Sequence, residues 1–210
     1  MSRKKIVIMH TGIGNIGSIK NALEFINYDC DVINSYEKVI FKNYSGFILP
    51  GVGAFKSGME SIKNKGLDRL VFEMIDNCVP GIGVCLGMQV MAEWSIEGGE
   101  KTKGLGIFKG GIVNLRKSDD TVPHIGWTYT KGQLDYQPWH NNLNGEFYYI
   151  HSYALSSQNN EEVAASFKHG NKDYVAAVYK SRILGVQFHP EKSQHFGLKL
   201  IDSFFSYFTN

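Results

Sequence analysis

Cys85 lies in a sequence pattern that is typical of a catalytic nucleophile. Residues 83–87 read Gly-Val-Cys-Leu-Gly, after a short apolar run and before a stretch with helical character. This spacing matches a nucleophile elbow, a tight strand-to-helix turn in which bulky neighbours of the central residue would clash. The helix N-terminus would favour the thiolate of Cys85, and the N–H of Leu86 would point to a developing oxyanion. The pattern therefore favours a nucleophile over the alternative, a buried cysteine in a glycine-rich turn.

His189 and Glu191 are the acid–base pair that best suits this cysteine. His189 follows the apolar stretch 183–188 and is itself followed by Pro190 and Glu191. Residues two apart in an extended chain point to the same side, and Pro190 disfavours a helix at His189. Glu191 can therefore orient the imidazole and stabilise its charged form, as the acid of a triad does. A strand-end histidine beside a solvated glutamate is the alternative. The order nucleophile, histidine, acid differs from that of α/β-hydrolases.

The elements that must position these residues alternate between strand and helix in the first half of the chain. Short apolar runs predict buried strands at residues 5–10, 31–34, 46–49 and 81–84. Apolar residues at helical spacing predict helices at residues 15–28, 58–77 and 86–94. This alternation indicates a parallel sheet that is covered on both faces.

The second half is rich in short strand-type segments between polar or glycine-bearing turns, which indicates antiparallel strands beside the parallel sheet. These segments are residues 111–115, 146–153, 163–167, 175–180 and 183–188, and a closing helix is predicted at residues 194–208. The predicted fold is therefore α/β. It has a mostly parallel central sheet with helices on both faces and an antiparallel extension, in a single domain of residues 1–210.

Composition narrows the class of protein. The 210 residues carry a formal net charge of +2 and no basic patch of the kind that binds nucleic acid. No apolar run reaches the roughly 18 residues of a membrane span, so neither nucleic acid nor membrane is an expected partner. The three cysteines have no metal-ligand spacing, and reduced thiols fit a cytoplasmic location. Cys30 and Cys78 have no elbow and are expected to be packing residues.

The two motifs together resemble those of the triad-type, class I glutamine amidotransferases. The stretches Gly-Val-Cys-Leu-Gly-Met-Gln at 83–89 and Gln-Phe-His-Pro-Glu at 187–191 have that family's order and separation. Further stretches at 50–55, 122–127 and 149–153 resemble the glutaminase subunit of imidazole glycerol phosphate synthase or a close paralogue. The resemblance covers nearly the whole chain and implies a flavodoxin-like fold.

The resemblance implies a role for each matching residue. Cys85 would attack the side-chain amide of glutamine, with His189 and Glu191 as its partners. Backbone N–H groups of Val52 and Leu86 would form the oxyanion hole. The glutamine pocket would be lined by Gly51, Gly53, Gln89, His151, Ser152 and Tyr153, and a partner subunit would be faced by Pro123, His124, Gly126 and Trp127. No cofactor or metal is implied. Ammonia would pass to a cyclase partner of (β/α)₈ fold, in a heterodimer that makes imidazole glycerol phosphate and AICAR in histidine biosynthesis.

Departures from the family pattern leave the partner open. His10 and Thr11 stand where the family usually has aspartate and tyrosine, and Thr128 stands where it usually has asparagine. None of them belongs to the triad, so the glutaminase chemistry is unaffected. Paralogues that supply ammonia for surface-sugar amidation, as in lipopolysaccharide pathways, are also similar, and the turn at residues 14–19 resembles theirs. Histidine biosynthesis remains the preferred assignment.

Two other classes of function are less favoured. Gly12, Gly14 and Gly17 match the form of a dinucleotide fingerprint, which would indicate an NAD-binding oxidoreductase. The same turn also suits a plain connection from a strand to its helix, and an oxidoreductase leaves the cysteine and histidine motifs unexplained. A non-catalytic binding module is disfavoured because the triad is intact. Trp139 and His140 lie in a predicted polar loop and have no assigned role.

Overall fold

The described part of the chain alternates strand and helix up to residue 90 and consists mostly of strands after it. The structure is a computed structural model, and it describes residues 4–12, 14–115, 121–133, 137–156 and 161–209. The strands are β1 (Lys5–Met9), β2 (Asp29–Ile33), β3 (Gly46–Gly51), β4 (Gly81–Cys85), β5 (Ala92–Ser95), β6 (Thr102–Lys103), β7 (Phe108–Asn114), β8 (His124–Gly132), β9 (Gly145–His151), β10 (Tyr153–Leu155), β11 (Val163–His169), β12 (Lys172–Lys180) and β13 (Ile183–Val186). The helices are α1 (Ile16–Phe25), α2 (Phe55–Asn64), α3 (Leu67–Asp76), α4 (Leu86–Val90) and α5 (Gln194–Thr209). Within these ranges no helix is long and apolar enough to cross a membrane.

A mixed sheet of nine strands lies at the centre, in the order β2-β1-β3-β4-β13-β12-β11-β8-β9. The first five strands pair in parallel, and the last four extend the sheet through antiparallel pairs. A smaller sheet of four strands has the order β10-β7-β5-β6. The predicted fold, a mostly parallel sheet with an antiparallel extension, is therefore confirmed.

The large sheet is buried on both faces because its central strands β3, β4 and β13 are buried at every position and β1 is apolar from Ile6 to Met9. In β1, Ile6 and Ile8 pack into one apolar cluster, and Val7 and Met9 pack into another. Helices α1 and α5 contribute to the first cluster, and α2, α3, α4 and the small sheet contribute to the second. Successive side chains of a strand point to opposite faces, so a continuous apolar run supplies both layers of the core.

The topology brings the predicted catalytic segments to one edge of the sheet. Strands β3, β4 and β13 are parallel neighbours, with β4 in the middle. They end at Gly51, Cys85 and Val186. The loop at Val52, the elbow and the segment that leads to His189 therefore leave the sheet side by side, at the carboxyl edge where α/β folds bind their ligands.

The helix predicted at residues 58–77 is wrong as a single element, because Gly66 divides it into α2 and α3. Gly66 adopts the left-handed conformation, with φ at +66°, and serves as the N-cap of α3. A Cβ at this position would lie 2.9 Å from the Cβ of Tyr36. Glycine is suited to both the conformation and the close approach. The apolar spacing continued through the break, so periodicity alone did not reveal it.

The helix predicted at residues 86–94 is also wrong beyond Val90. Residues 92–95 form strand β5, which pairs with β6 and β7. The carbonyl groups of Val90, Met91 and Ala92 accept hydrogen bonds from N–H groups of residues 105–108 instead of continuing a helix. Because this partner segment follows β6 and approaches from the side, the end of α4 is decided by tertiary pairing.

Two further segments differ from their predictions. Strand β8 contains the motif for which the sequence predicts only a partner-facing role, and it pairs with both β9 and β11. Trp139 and His140 are fully buried, whereas a polar loop was predicted. They lie in a 3₁₀ turn, Pro138–Leu143, and the ring of Trp139 packs edge-on against Phe204 of α5. This turn therefore contributes to the core.

The two remaining cysteines differ in their burial. Cys30 on β2 is half-buried and packs against the first apolar cluster, as predicted. Cys78 is exposed, so its predicted packing role is wrong. It has a positive φ of 56° in the connection between α3 and β4.

Gly197 lets helix α5 pack directly on the turn that carries Glu191. A Cβ on Gly197 would overlap the carbonyl oxygen of Pro190. We expect Gly197→Ala to lower the free energy of unfolding by about 1–3 kcal/mol, because overpacking forces the helix away from the turn. Denaturant unfolding measures this change.

Gly17→Ala is the matched control for that substitution. Gly17 is an exposed position in α1, and a Cβ there would make only an ordinary contact with Asn15 at 3.4 Å. The same glycine-to-alanine change should therefore raise the free energy of unfolding by about 0.5–1 kcal/mol. Equal effects at the two positions would contradict the close packing inferred at Gly197.

Candidate active site

The elbow at Cys85 is strained in the way a nucleophile turn requires. Cys85 ends β4 and caps α4 with φ of 53° and ψ of −111°, a conformation that side-chain-bearing residues rarely adopt. A Cβ on Gly87 would overlap the carbonyl oxygen of Leu49, and one on Gly83 would lie 3.0 Å from the backbone N of Met88. Gly87 therefore lets the turn pack on β3, and Gly83 lets helix α4 pack on β4. Helix α4 has five residues, so its dipole is smaller than that of the longer helix that was predicted.

His189 and Glu191 form a buried hydrogen-bonded pair. Nδ1 of His189 lies 2.8 Å from Oε1 of Glu191, and the two side chains are 3% and 5% exposed. The N–H of His189 donates to the carbonyl of Tyr148, and its own carbonyl accepts from the hydroxyl of Ser193. The ring is therefore held by its backbone on both sides and by Glu191 at Nδ1, and Nε2 is the ring nitrogen that does not contact Glu191.

The environment of His189 favours its charged form. Burial disfavours the imidazolium, but the neighbouring sulfur of Cys85 and the carboxylate of Glu191 outweigh that effect and raise the pKa of His189 from 6.5 to about 10. Nε2 makes no hydrogen bond of standard geometry to the described residues. The raised pKa therefore favours the imidazolium at neutral pH.

A cavity of about 320 Å³ opens beside Cys85 and His189. It is large enough for a small molecule of amino-acid size. Seven residues with predicted oxyanion or substrate roles line it: Val52, Gly53, Leu86, Gln89, His151, Ser152 and Tyr153. Gly51 does not line the cavity. It pairs with Cys85 at the end of β3, and a Cβ there would lie 3.0 Å from that of Leu86.

The model of the class-I glutamine amidotransferase family matches residues 7–206. That span includes the elbow, the buried His189–Glu191 pair and the whole lining of the cavity. The chain belongs to the class-I glutamine amidotransferase family. It is therefore an enzyme of the class that takes ammonia from the side-chain amide of glutamine.

Relatives of similar length lie within this family. The imidazole glycerol phosphate synthase subunit HisH 2 of Methanococcus maripaludis is 38% identical over 202 residues, covering 95% of this chain and 98% of the relative. Subunit HisH of the same synthase from Oceanobacillus iheyensis is 39% identical over 197 residues, covering 93% of this chain and 96% of the relative. The chain is thus similar to these subunits over nearly their full length.

Solved structures share the fold at lower identity. PurLQS from Thermotoga maritima superposes with a TM-score of 0.76 at 15% identity, covering 98% of this chain and 99% of that chain. A glutamine amidotransferase from the same organism gives a TM-score of 0.67 at 14% identity, covering 97% of this chain and 83% of that chain. These similarities confirm the amidotransferase fold.

In this amidotransferase, both ring nitrogens of His151 hydrogen bond to the protein. Nδ1 lies 2.8 Å from the carbonyl oxygen of Tyr153, and Nε2 lies 3.1 Å from Nδ1 of His124. Nε2 of His124 in turn lies 2.8 Å from the hydroxyl of Thr128, the position that departs from the family pattern. Burial is the main effect that lowers the pKa of His151, to about 3, so the ring is neutral. His151 therefore shapes the cavity wall, and its ring nitrogens are not free for a ligand.

The predicted partner face contains an exposed apolar strip, which consists of Ile125, Trp127 and Tyr129 on β8 and Ile150 on β9. Residues 125 and 150 are directly paired across the two strands, and Ile150 also lines the cavity. The strip is therefore continuous with the active site. Of the other predicted partner residues, Pro123 is exposed and Gly126 is half-buried, whereas His124 is turned into the core.

Three polar residues of the site were not predicted from the sequence. Glu97 and Lys192 line the cavity, and Gln187 is fully buried beside Cys85. Lys192 and Gln187 are sequence neighbours of the triad, which could have indicated them. No motif near Glu97 indicated that it belongs to the site, because it follows β5, far from the triad in the sequence. Its carboxylate accepts a hydrogen bond from the N–H of Phe55, 2.7 Å away.

The glycine-rich turn at Gly12 and Gly14 leads into a capped helix. Oδ1 of Asn15 accepts a hydrogen bond from the N–H of Ser18, as an N-cap residue does. The third glycine of a dinucleotide fingerprint allows close packing of helix on strand, but Gly17 is exposed. This geometry favours a plain strand-to-helix connection over an NAD site.

Proposed function

We propose that this amidotransferase hydrolyses glutamine with a triad of Cys85, His189 and Glu191. The observation that carries the proposal is the convergence of a strained elbow cysteine and a buried His–Glu pair on one cavity. The cysteine and the histidine follow neighbouring parallel strands, so the fold holds them together without a flexible loop. Rigid elements of this kind suit a reaction that depends on orientation.

The first half of the reaction forms a thioester. The thiolate of Cys85 attacks the side-chain carbonyl carbon of glutamine and forms the C–S bond. The N–H groups of Leu86 and Val52 stabilise the tetrahedral oxyanion, and each donor of this kind lowers a barrier by about 3 kcal/mol. Nε2–H of His189 gives its proton to the departing nitrogen, the C–N bond breaks, and ammonia leaves.

The second half of the reaction regenerates the enzyme. His189, now neutral, takes a proton from water, which attacks the thioester carbon. The C–S bond breaks with its electron pair on sulfur, and glutamate is released. Cys85 returns to the thiolate and His189 to the imidazolium. Glu191 remains hydrogen bonded to Nδ1 throughout, so it keeps the ring in orientation and stabilises its charge.

Glu97 is the group that best fits the α-ammonium of glutamine. It lines the same cavity as Cys85, and its carboxylate is fixed by the N–H of Phe55. A carboxylate held in this way presents a fixed negative charge to the cavity, and the α-ammonium of a zwitterionic substrate requires one. Lys192 lies on the same lining and supplies the positive charge that complements the α-carboxylate.

The partner that receives the ammonia is a cyclase of (β/α)₈ fold, in a heterodimer that serves histidine biosynthesis in the cytoplasm. The names of the relatives, subunits of imidazole glycerol phosphate synthase, support this part of the proposal. The exposed apolar strip is the docking surface, because it borders the cavity from which ammonia leaves. Thr128 and the turn at residues 14–19 favour a sugar-amidation partner as the second candidate. Identification of the co-purifying chain distinguishes the two.

Trp127 is expected to be the anchor of that docking surface. Its ring is 46% exposed and packs edge-on against Tyr148, at 6.1 Å between centroids. Trp127→Ala should weaken the affinity for the partner by about 30-fold or more, because truncation of a central aromatic typically costs about 2 kcal/mol. Surface plasmon resonance with the co-purified partner measures this change.

Phe72→Ala is the matched control for the docking surface. Phe72 lies on α3, outside the strip, and its side chain is 42% exposed. Its truncation should leave the affinity for the partner unchanged. Equal affinity of the Trp127→Ala variant and the wild type would place the docking surface elsewhere, whatever the outcome for glutamine hydrolysis.

A further inference from the structure

Gln187 places a buried amide against the sulfur of Cys85. Its Nε2 lies 3.6 Å from Sγ, within the range of an N–H···S hydrogen bond, and the residue is fully buried. Gln187 directly follows β13 and stands two residues before His189. Nothing in the proposed triad uses this amide, although it contacts the reacting atom.

The orientation of the Gln187 amide is fixed by its neighbours. Nε2 of Gln89 lies 2.9 Å from the carbonyl oxygen of Tyr153, and a carbonyl can only accept a hydrogen bond. The same Nε2 lies 3.0 Å from Oε1 of Gln187. Gln89 must therefore donate through its NH₂ group to Gln187, and Gln187 must accept with Oε1. The NH₂ group of Gln187 is left pointing at Cys85, and a flipped amide would set two donors against each other.

The other groups around the sulfur make this donor significant. Sγ is 4.0 Å from the carbonyl oxygen of Ile150 on β9, which disfavours a negative sulfur. His189, after β13, supplies the opposing positive charge. Glu97, after β5, Lys192 and Tyr153, on β10, are the other ionisable residues on the cavity lining besides the neutral His151. The short helix α4 contributes less than a long one.

We propose that Gln187 is a further catalytic residue, whose amide N–H, oriented by Gln89, holds Cys85 as the thiolate. The proposal rests on Cys85 being the nucleophile. A hydrogen bond to the charged form of a group stabilises that form, so the free enzyme keeps the sulfur ready for attack. The same N–H assists the second half of the reaction, when the C–S bond breaks and the electron pair returns to sulfur. Because a thioester sulfur is a weak acceptor, the bond acts mainly before attack and during release.

The pH dependence of Cys85 alkylation tests this role without glutamine. The full chain is treated with iodoacetamide over a range of pH, and modification of the Cys85 peptide is followed by mass spectrometry. Gln187→Met removes the donor at nearly constant volume. The midpoint pH of alkylation should rise by roughly one unit, a tenfold loss of thiolate below the midpoint. Gln89→Met leaves the donor in place but frees it to rotate, so a smaller rise is expected.

Two additional variants keep the test decisive. The double variant Gln89→Met, Gln187→Met removes both partners of the buried amide pair, so it should fold even if Gln187→Met alone does not. The midpoint pH of Cys85 alkylation should rise as much in this double variant as in Gln187→Met. Gln137→Leu removes the amide that accepts from Nε1–H of Trp139, away from the cavity lining, and should leave the midpoint unchanged.

A midpoint that stays at the wild-type value in the folded Gln187→Met or double variant overturns the proposal, even if turnover falls. That result would assign Gln187 a role in packing alone. Failure of the triad itself is read from a different measurement, which is glutamine hydrolysis by the Cys85→Ser variant. The two hypotheses are therefore tested separately.

Discussion

Cys85→Ser is expected to reduce glutamine hydrolysis by roughly 10⁴-fold or more, because removal of a nucleophile from a triad leaves only the contributions of binding and the oxyanion hole. Oxygen replaces sulfur at nearly constant volume, so the strained elbow at φ 53° is retained. A serine hydroxyl is far less acidic than a thiol, so the variant has no ready anion at this position. Glutamate release by purified protein measures the loss, and circular dichroism verifies the fold.

The other two cysteines provide an internal control for this prediction. A diazo-ketone analogue of glutamine should label Cys85 and leave Cys30 and Cys78 unmodified. Cys78 is exposed and Cys85 is buried, so reactivity that followed access alone would give the opposite result. Labelling of Cys78 in preference to Cys85, or full turnover by the serine variant, would show that Cys85 is not the nucleophile.

His189→Ala is expected to lower the turnover number by about 10⁶-fold, and Glu191→Gln by about 10⁴-fold or less, because the second change disturbs the base without removing it. Glutamine at position 191 can still accept a hydrogen bond from Nδ1–H, but it carries no charge. The ranking follows from the geometry, in which Glu191 contacts the ring at 2.8 Å and does not line the cavity. Steady-state kinetics with glutamine give both values.

The pH profile distinguishes the role of Glu191 from a general loss of structure. The pKa of His189 is raised to about 10, so the wild type keeps the imidazolium through neutral pH and loses it as the pH rises through that value. Glu191→Gln removes one of the two groups that raise this pKa. The alkaline limb of activity should therefore move to lower pH. An unmoved alkaline limb, or an equal loss in both variants, would argue against Glu191 as the residue that charges and orients the ring.

The raised pKa of His189 also makes the stability of the fold depend on pH. Because the folded-state pKa of His189 lies above the ordinary value of 6.5, the charged ring stabilises the fold fully below pH 6.5. This contribution is lost as the pH rises from there through about 10. It should be smaller in the Glu191→Gln variant.

The elbow at Cys85 and the pairing of His189 with Glu191 could be predicted from the sequence because the information for each is local. The elbow is contained in five consecutive residues, where glycines on either side of Cys85 indicate a turn that only small neighbours permit. The relation of His189 to Glu191 depends on a spacing of two residues and on one proline, and backbone stereochemistry converts both into an orientation. The parallel sheet was likewise predictable, because strands buried on both faces are apolar at each position.

Long-range contacts decided what the sequence pattern did not. Helix α4 ends at Val90 because the N–H groups of residues 105–108 take the carbonyls that a longer helix would use. Trp139 is buried because α5 returns from the end of the chain to cover it. Neither the end of α4 nor the burial of Trp139 could be predicted from the neighbouring residues, because the contacting segment is distant in the sequence.

The residues around Cys85 also show which features are local in the sequence and which depend on tertiary contacts. Cys85 and Gln187 are separated by 102 positions, and only the pairing of β4 with β13 brings them to 3.6 Å. The orientation of the Gln187 amide depends in turn on Gln89 and on a carbonyl of β10. Residue type by itself determined which atoms could carry the reaction. The tertiary structure alone decided which way the amide points, because a hydrogen bond takes its direction from the partner that the fold supplies.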